Sequence, residues 1–527
     1  MQHVTCLARL FSLFLIAAGF ICQAVAAPPK ENWAIERIDN YLNRSVEQGF
    51  SGAVLIANGN QLVLKKGYGM ADRNSDKPIT TSTLFDIGSV TKQFTAAAIM
   101  VLETQGKLSV DDTLARFFPQ VPTDKQGITL HQLLTHTSGL PAGIGLGDFT
   151  HIPVNEFINR VFQSALVAEP GQQYHYSNIG YSLLARIIEK VTDESYEAWL
   201  QENLFHPSGM NHTGYLLFDA SDSRVAAGYR AGVLRTPSTL SRYQADGKIA
   251  WTLKGNGGLI SSLDDMYSWY LSLKNHVVLT KAQLTRLTTR YVSEGGNSWY
   301  GYGWSLGVSP GGKAMVGHNG ANGTYYFDFR WLTEEDIAII YASNALMQDT
   351  ASIGESLELM LFDHVFNPPS FTPGPVTRIL TFASQFTGTG QALRQQVTTQ
   401  FSDVITQRYV LNRAGLALLD SGKTNHAIGL LALNVENFAD DGNLWDSLGE
   451  AYLKADLLHD AKVSFVNALV KAPEQGCYWC ANARRRLESI KARERAERDQ
   501  PVSSAEPATS GHPATSAEPA DSRSQKP

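Results

Sequence analysis

The sequence predicts an α/β fold of the α+β type, in which a central antiparallel sheet is flanked by helices, with a small all-α domain after it. Three observations predict this. β-rich runs stand at 51–66 and again at 299–343. A mostly polar and helical stretch lies between them, from Leu108 to about Leu253. Just before that stretch, Gln93 to Glu103 reads as a helix that is hydrophobic all round, as in an element buried in a large core. One sheet built from both termini and packed on that helix accounts for all three.

The chain has 527 residues, too many for one core, so two or three domains are expected. Hydrophobic residues at 43% and charged residues at 18% describe a globular protein. A net charge of −6 gives no basic footprint for nucleic acid. At the N-terminus, Arg9 precedes the uncharged apolar run Leu10 to Ile21, and Ala24-Val25-Ala26 follows as an A-x-A cleavage signature. A secretory signal peptide over 1–26 is expected. An uncleaved anchor is the alternative, but the run is short for a span. No later stretch reads as transmembrane, so the expected location is periplasmic or secreted, with no membrane span after signal removal.

Ser51 to Ala57 and Gln61 to Lys66 read as strands split by the hairpin signal Asn58-Gly59-Asn60. Ser261-Ser262, with Asp264 and Asp265 three residues after each, reads as a capping box that opens a helix. Trp299 to Val308, Lys313 to His318, Gly323 to Trp331 and Ile337 to Ser343 read as strands. Ser309-Pro310-Gly311-Gly312 turns the chain between the first two.

The chemistry-bearing stretch is Ser89-Val90-Thr91-Lys92, at the start of the apolar helix. Gly88 gives a flexible entry, and Ser89 is expected at the first turn, where unpaired N–H groups carry partial positive charge. Lys92 lies one turn on, on the same face. A serine alcohol is a poor nucleophile until a neighbour takes its proton, and a lysine kept neutral by burial can do so. The alternative is a serine cap with a solvated lysine, which fits poorly with an apolar helix.

A second motif is Tyr176-Ser177-Asn178, between the turn Pro170-Gly171 and a helix begun by Ile179, Leu183, Ile187 and Ile188. A phenol there can relay protons, provided a nearby ammonium lowers its pKa. An amide can donate to and accept from a substrate amide. Equally, Asn178 can be a helix cap and Tyr176 ordinary core. The third motif is His318-Asn319-Gly320-Ala321, at the end of an expected strand. Gly320 would admit a ligand to the backbone, and the N–H of Ala321 with that of Ser89 would face a developing oxyanion. A strand-end turn with a chance histidine is the alternative.

In this order, Ser-x-x-Lys, Tyr-x-Asn and His-x-Gly resemble the penicillin-recognising serine hydrolases: class C β-lactamases, DD-peptidases, D-aminopeptidases and related esterases. Gly88 to Thr95, Leu134 to Leu140, Tyr176 to Tyr181, Pro207-Ser208-Gly209-Met210 and Gly257-Gly258-Leu259 are also similar to that family's text. The resemblance spans most of 31–365. It implies a β-lactamase/transpeptidase-like domain, with Ser89 acylated, Lys92 taking its proton, Tyr176 as general acid/base and Asn178 on the substrate amide. His318-Asn319-Gly320 departs from the Lys-Thr-Gly of class C β-lactamases, and a histidine there would be a weaker, pH-dependent carboxylate anchor. Ser177 replaces the usual alanine. Both departures argue against efficient antibiotic hydrolysis.

Gly303-Trp304-Ser305-Leu306-Gly307 fits G-x-S-x-G, but that motif needs a strand, a sharp turn and then a helix, and here the residues alternate as a strand. No H-E-x-x-H occurs, and His131 and His136 are off one helical face, so no metal or organic cofactor is expected. His136 reads as a hydrogen-bonded structural histidine.

Residues 366–407 read as a linker and connecting helix, opening with Asn367-Pro368-Pro369. In 408–498, Trp445, Leu448-Gly449, Tyr452, Ala461, Phe465 and Pro473 match the tetratricopeptide pattern. Leu411, Ala414-Gly415, Leu418, Ala427 and Leu431 form a weaker copy before it. These repeats imply a partner-binding groove or, as the alternative, a packing appendage; 481–498 would cap them. Cys477 and Cys480 are expected to pair as a local disulfide in an oxidising compartment. The tail 499–527, poor in apolar residues, is expected to be disordered.

The function expected is a secreted serine hydrolase working through an acyl-enzyme on D-amino-acid peptides or amides, or small esters. A β-lactamase is the runner-up within the class. A non-catalytic scaffold using its repeats is the rival from another class. The partners expected are a small-molecule or peptide substrate, and a protein for the repeats.

Overall fold

The structure is a computed structural model that describes residues 31–216, 224–473, 477 and 479–498. The expected signal peptide and C-terminal tail lie outside the described residues. Two compact units are present, Met1–Thr387 and Gly388–Pro527.

The first unit is built on an eight-stranded antiparallel sheet. Across it run Gln61–Tyr68, Gly52–Asn58, Ile337–Ser343, Tyr326–Leu332, Ala314–Ala321, Ser305–Val308, Ser298–Tyr300 and Val292–Gly295. The N-terminal hairpin thus enters beside the last strand, with Gly52 opposite Ser343 and Asn58 opposite Ile337. The run Trp299 to Val308 differs from the single strand expected. It folds as two strands, with a turn at Gly303, where φ is +77° and a Cβ would meet Lys92 O at 2.6 Å.

Side chains alternate across the sheet with a period of two. Ala53, Leu55 and Ala57 face the larger core, with Phe327, Phe329, Ile340 and the helix Thr91–Thr104. Val54 and Ile56 face the other layer, with Tyr326, Ile339 and Tyr341, and the helices Glu31–Glu47 and Ile353–Phe362 cover them. The Thr91–Thr104 helix is buried on nearly all sides, with Phe94 packed on Phe205 and Trp269. The helix expected after Ser262 runs from Leu263 to Lys274, with Ser262 accepting from Asp265 N. Its box is one-sided, because the Asp265 carboxylate instead accepts from His212 N and Thr213 Oγ1.

The second unit is helical: Gly390–Gln400, Val410–Asp420, Thr424–Asn437, Gly442–Lys454, Leu458–Val470 and Cys480–Arg498. Gly415 packs so tightly on Leu431 that a Cβ would approach to 2.6 Å. The later pair Gly449 and Phe465 repeats this contact, at 2.8 Å. Cys477 and Cys480 are joined by a disulfide. Among the described residues, no helix is long and apolar enough to cross a membrane.

Candidate active site

Ser89 stands at a junction of three elements: the turn before the buried helix, the start of the helix Asn178–Thr192, and the end of the strand Ala314–Ala321. It does not occupy the first α-helical turn. It lies in a 3-10 turn, Gly88–Val90, and the α-helix begins at Thr91. Gly88 has φ +51°, which a side chain would strain. The turn is held from below by Asp86, whose buried carboxylate accepts from Gly88 N at 2.8 Å, Thr239 Oγ1 at 2.7 Å and Asn322 Nδ2 at 2.6 Å. Burial pushes the Asp86 carboxyl up, and these three donors pull it back.

Lys92 is completely buried. Its Nζ lies 3.1 Å from Ser89 Oγ, 2.8 Å from Asn178 Oδ1 and 2.7 Å from the Asn256 carbonyl. Burial drives its pKa well below the ordinary 10.5, with Asp148 opposing. The partners then decide the geometry. Asn178 Oδ1 and Asn256 O can only accept, so they take the two N–H bonds of a neutral amine. The amine lone pair is left for Ser89. An amine so placed can receive the hydroxyl proton.

The Tyr176 hydroxyl faces Ser89, which pulls its pKa down against the larger effect of burial. Lys92 Nζ sits over its ring, 4.7 Å from the centroid. The expected lowering of its pKa is absent: burial, with Glu294 nearby, raises the phenol above its ordinary 10.0. Tyr176 is therefore a protonated phenol, suited to giving a proton. Its position is fixed by His136, whose ring stacks on it with centroids 4.2 Å apart and whose Nδ1 accepts from Ser177 N. Ser177 caps the following helix, accepting from Gly180 N. Asn178 is thus not the cap, and its amide is free to hold Lys92.

His318, Asn319, Gly320 and Ala321 are the last four residues of their strand, at its end as expected. His318 is buried, and its pKa falls to about 3 through burial and the nearby Lys92. Its Nδ1–H donates to Asn319 O at 2.6 Å, and its Nε2 is 3.0 Å from the Tyr300 hydroxyl. This corrects the expectation of a pH-dependent cationic anchor: the imidazole is neutral and committed to neighbours. Asn319 is exposed.

At Gly320 two backbones meet. A Cβ there would lie 2.1 Å from Ile87 O and 2.6 Å from Ser89 N, while one on Gly88 would lie 2.8 Å from Ala321 N. The amides of Ser89 and Ala321 are thereby brought to one small cavity. Gly320→Ala is expected to force the strand off the 3-10 turn and lower kcat by about a hundredfold or more, the scale of losing one oxyanion donor. Steady-state kinetics, with circular dichroism to confirm the fold, would check this.

Ser305 lies on a strand and donates to Glu294 at 3.1 Å. No group of three or more His, Cys, Asp or Glu is placed for a metal among the described residues. Sequence reasoning missed the Asn256 carbonyl and Asp86. A backbone carbonyl leaves no mark in a sequence. Asp86 does leave one, as a lone acid in the apolar run Leu84-Phe85-Asp86-Ile87.

A half-buried serine beside a fully buried lysine, backed by a tyrosine, on an antiparallel sheet with helices on both faces, defines a serine hydrolase. Residues 35–354 match the Beta-lactamase family model, and the chain belongs to that family. It is 28% identical to penicillin-binding protein 4* of Bacillus subtilis (strain 168) over 431 residues, 78% of this chain and 93% of that one. It is 32% identical over 283 residues to the putative penicillin-binding protein PbpX of the same organism, covering 54% of this chain and 67% of that one. Among solved structures, the octameric penicillin-binding protein homologue from Pyrococcus abyssi superposes with a TM-score of 0.55 at 25% identity, over 67% of this chain and 82% of that one. The D-amino acid amidase from Ochrobactrum anthropi SV3 shares the fold, with a TM-score of 0.53 at 22% identity, over 62% of this chain and 98% of that one.

Proposed function

We propose that this protein is a secreted serine hydrolase that forms an acyl-enzyme at Ser89 and acts on D-amino-acid peptides or amides, or on small esters. The observation that carries this reading is the placement of Lys92, with two carbonyl acceptors for its N–H bonds and Ser89 Oγ at its remaining position. In the first step Ser89 Oγ bonds to the substrate carbonyl carbon and its proton passes to Lys92. The amides of Ser89 and Ala321 hold the oxyanion. Tyr176 gives its proton to the leaving nitrogen or oxygen as the carbonyl bond to that atom breaks, and Lys92 restores the proton to Tyr176. In the second step water adds to the acyl carbon, its proton goes to Lys92, and the acid leaves as Ser89 regains a proton.

The relatedness to penicillin-binding protein 4*, a protein named for binding penicillin, supports an acyl-enzyme that a penicillin can also form. The neutral His318 weighs against the β-lactamase reading, because a β-lactam carboxylate would find no cation at that position. Secretion is read from the N-terminal apolar run and is supported by the Cys477–Cys480 disulfide. The helical unit is read as tetratricopeptide-like, with a groove for a protein partner.

The test is intact-protein mass after a fluorophosphonate probe and, separately, a penicillin. The probe is expected to label Ser89, and a scaffold without an activated serine would stay unlabelled. A lasting penicillin adduct would support a peptidase-like enzyme. Rapid penicillin consumption with no adduct would replace this reading with a β-lactamase.

A further inference from the structure

The helical unit carries one apolar helix face that stays in solvent. On the helix Leu458–Val470, Ala461, Ser464, Phe465 and Ala468 are buried against the rest of the unit. Val463, Val466 and Val470 point away from it and are 44%, 46% and 70% exposed. At about 100° per residue these three fall within an arc of about 60°, on the side opposite Ala461 and Ala468. Burying such a stripe removes apolar area from water and is favourable.

The hairpin before it shows what covers such a face. One repeat of about 34 residues earlier, Gly429, Ala432 and Glu436 stand at the places of the three valines, on the helix Thr424–Asn437. There another helix, Gly390–Gln400, lies on the face. A Cβ on Gly429 would strike Gly390 O, and Arg394 pairs with Glu436. In the second hairpin, valines replace the glycine that admits that helix and the glutamate that pairs with it. Its face is therefore more apolar than the first, and among the described residues no helix covers it.

We propose that two copies of this chain associate through this face, the helix Leu458–Val470 of one lying antiparallel on that of the other. Charge selects the partner and its direction. Asp460 and Lys471 lie at opposite ends of the stripe, on one flank of it, and both are exposed. The other flank is neutralised, because Lys462 pairs with Glu494 at 3.0 Å. A two-fold axis near Val466 sets Val463 against the partner's Val470 and Asp460 against the partner's Lys471. A parallel copy would set like charges together. Every residue of this surface belongs to the second unit, so the proposal stands apart from the reading of Ser89.

The experiment is sedimentation equilibrium of the full-length protein from about 1 to about 200 μM, where a dimer with Kd on the order of 10 μM is expected for so short a stripe. Val463→Glu with Val466→Glu places four carboxylates in the interface and should raise Kd at least about twentyfold, leaving a monomer over that range. These valines are exposed, so the fold should survive, as circular dichroism would check. Asp460→Lys and Lys471→Asp should each weaken the dimer about fivefold, and the two together should restore it. A monomer throughout would leave the face to a different protein and overturn the proposal. A dimer untouched by the two glutamates, or a charge exchange that does not restore association, would overturn it too. Ser89→Ala should dimerise as the unmodified protein does, which keeps this surface distinct from the acyl-enzyme.

Discussion

Ser89→Ala is expected to lower kcat/KM for any substrate the protein hydrolyses by about four to six orders of magnitude, the scale seen when a serine nucleophile is removed. The physical reason is that nothing else near Lys92 Nζ can replace the lost oxygen. Its other two partners, Asn178 Oδ1 and the Asn256 carbonyl, are amide oxygens without nucleophilic character at neutral pH. Tyr176 is held protonated by burial and cannot attack in its place. The same variant should no longer take up a fluorophosphonate, whereas Ser305→Ala should still be labelled. Retained turnover in Ser89→Ala would remove the proposed mechanism entirely. The fold should survive, since Ser89 is only half-buried and its neighbours Gly88 and Val90 are fixed by backbone contacts.

Much of this arrangement is legible in the sequence, for identifiable reasons. Ser89 and Lys92 are three residues apart at the start of a run whose apolar character already says that Lys92 is buried. The hairpin at Asn58-Gly59-Asn60 and the strands after residue 314 follow from turn residues and alternation, and the sheet register obeys them. What was not legible depends on contacts between distant segments. The neutral state of His318 comes from its burial and its closeness to Lys92, and both depend on how the strand meets the 3-10 turn. The cap before Asn178 could have been either of two adjacent polar residues. The choice of Ser177 rests on its hydroxyl also reaching Pro141 O at 2.8 Å, a contact 36 residues away. The protonated state of Tyr176 likewise reflects desolvation by surrounding side chains, including the His136 ring. Local pattern places the chemical groups, while tertiary burial sets their charge.

Lys92 should therefore show its state in two independent measurements. The first is the pH profile of kcat/KM. If the free amine accepts the serine proton, activity rises with pH through the depressed Lys92 pKa and levels off well before the ordinary lysine value of 10.5. Tyr176, raised above 10.0, does not produce a falling limb in that range. Lys92→Arg keeps a cation that cannot lose its proton, and Lys92→Met removes the base altogether, so each should cost about 10² to 10⁴ in kcat. The second measurement is stability. Between the folded-state pKa and 10.5, the unfolded chain binds a proton at this residue that the folded chain has already lost. Unfolding free energy must then rise with pH across that window, by up to about 1.4 kcal/mol per pH unit from this group alone. Lys92→Met lacks the group, so the stability of the unmodified protein relative to Lys92→Met should climb over the same interval, as urea denaturation at several pH values would show. A flat difference would mean that Lys92 stays an ammonium in the folded protein. The proton from Ser89 would then have to leave by another route.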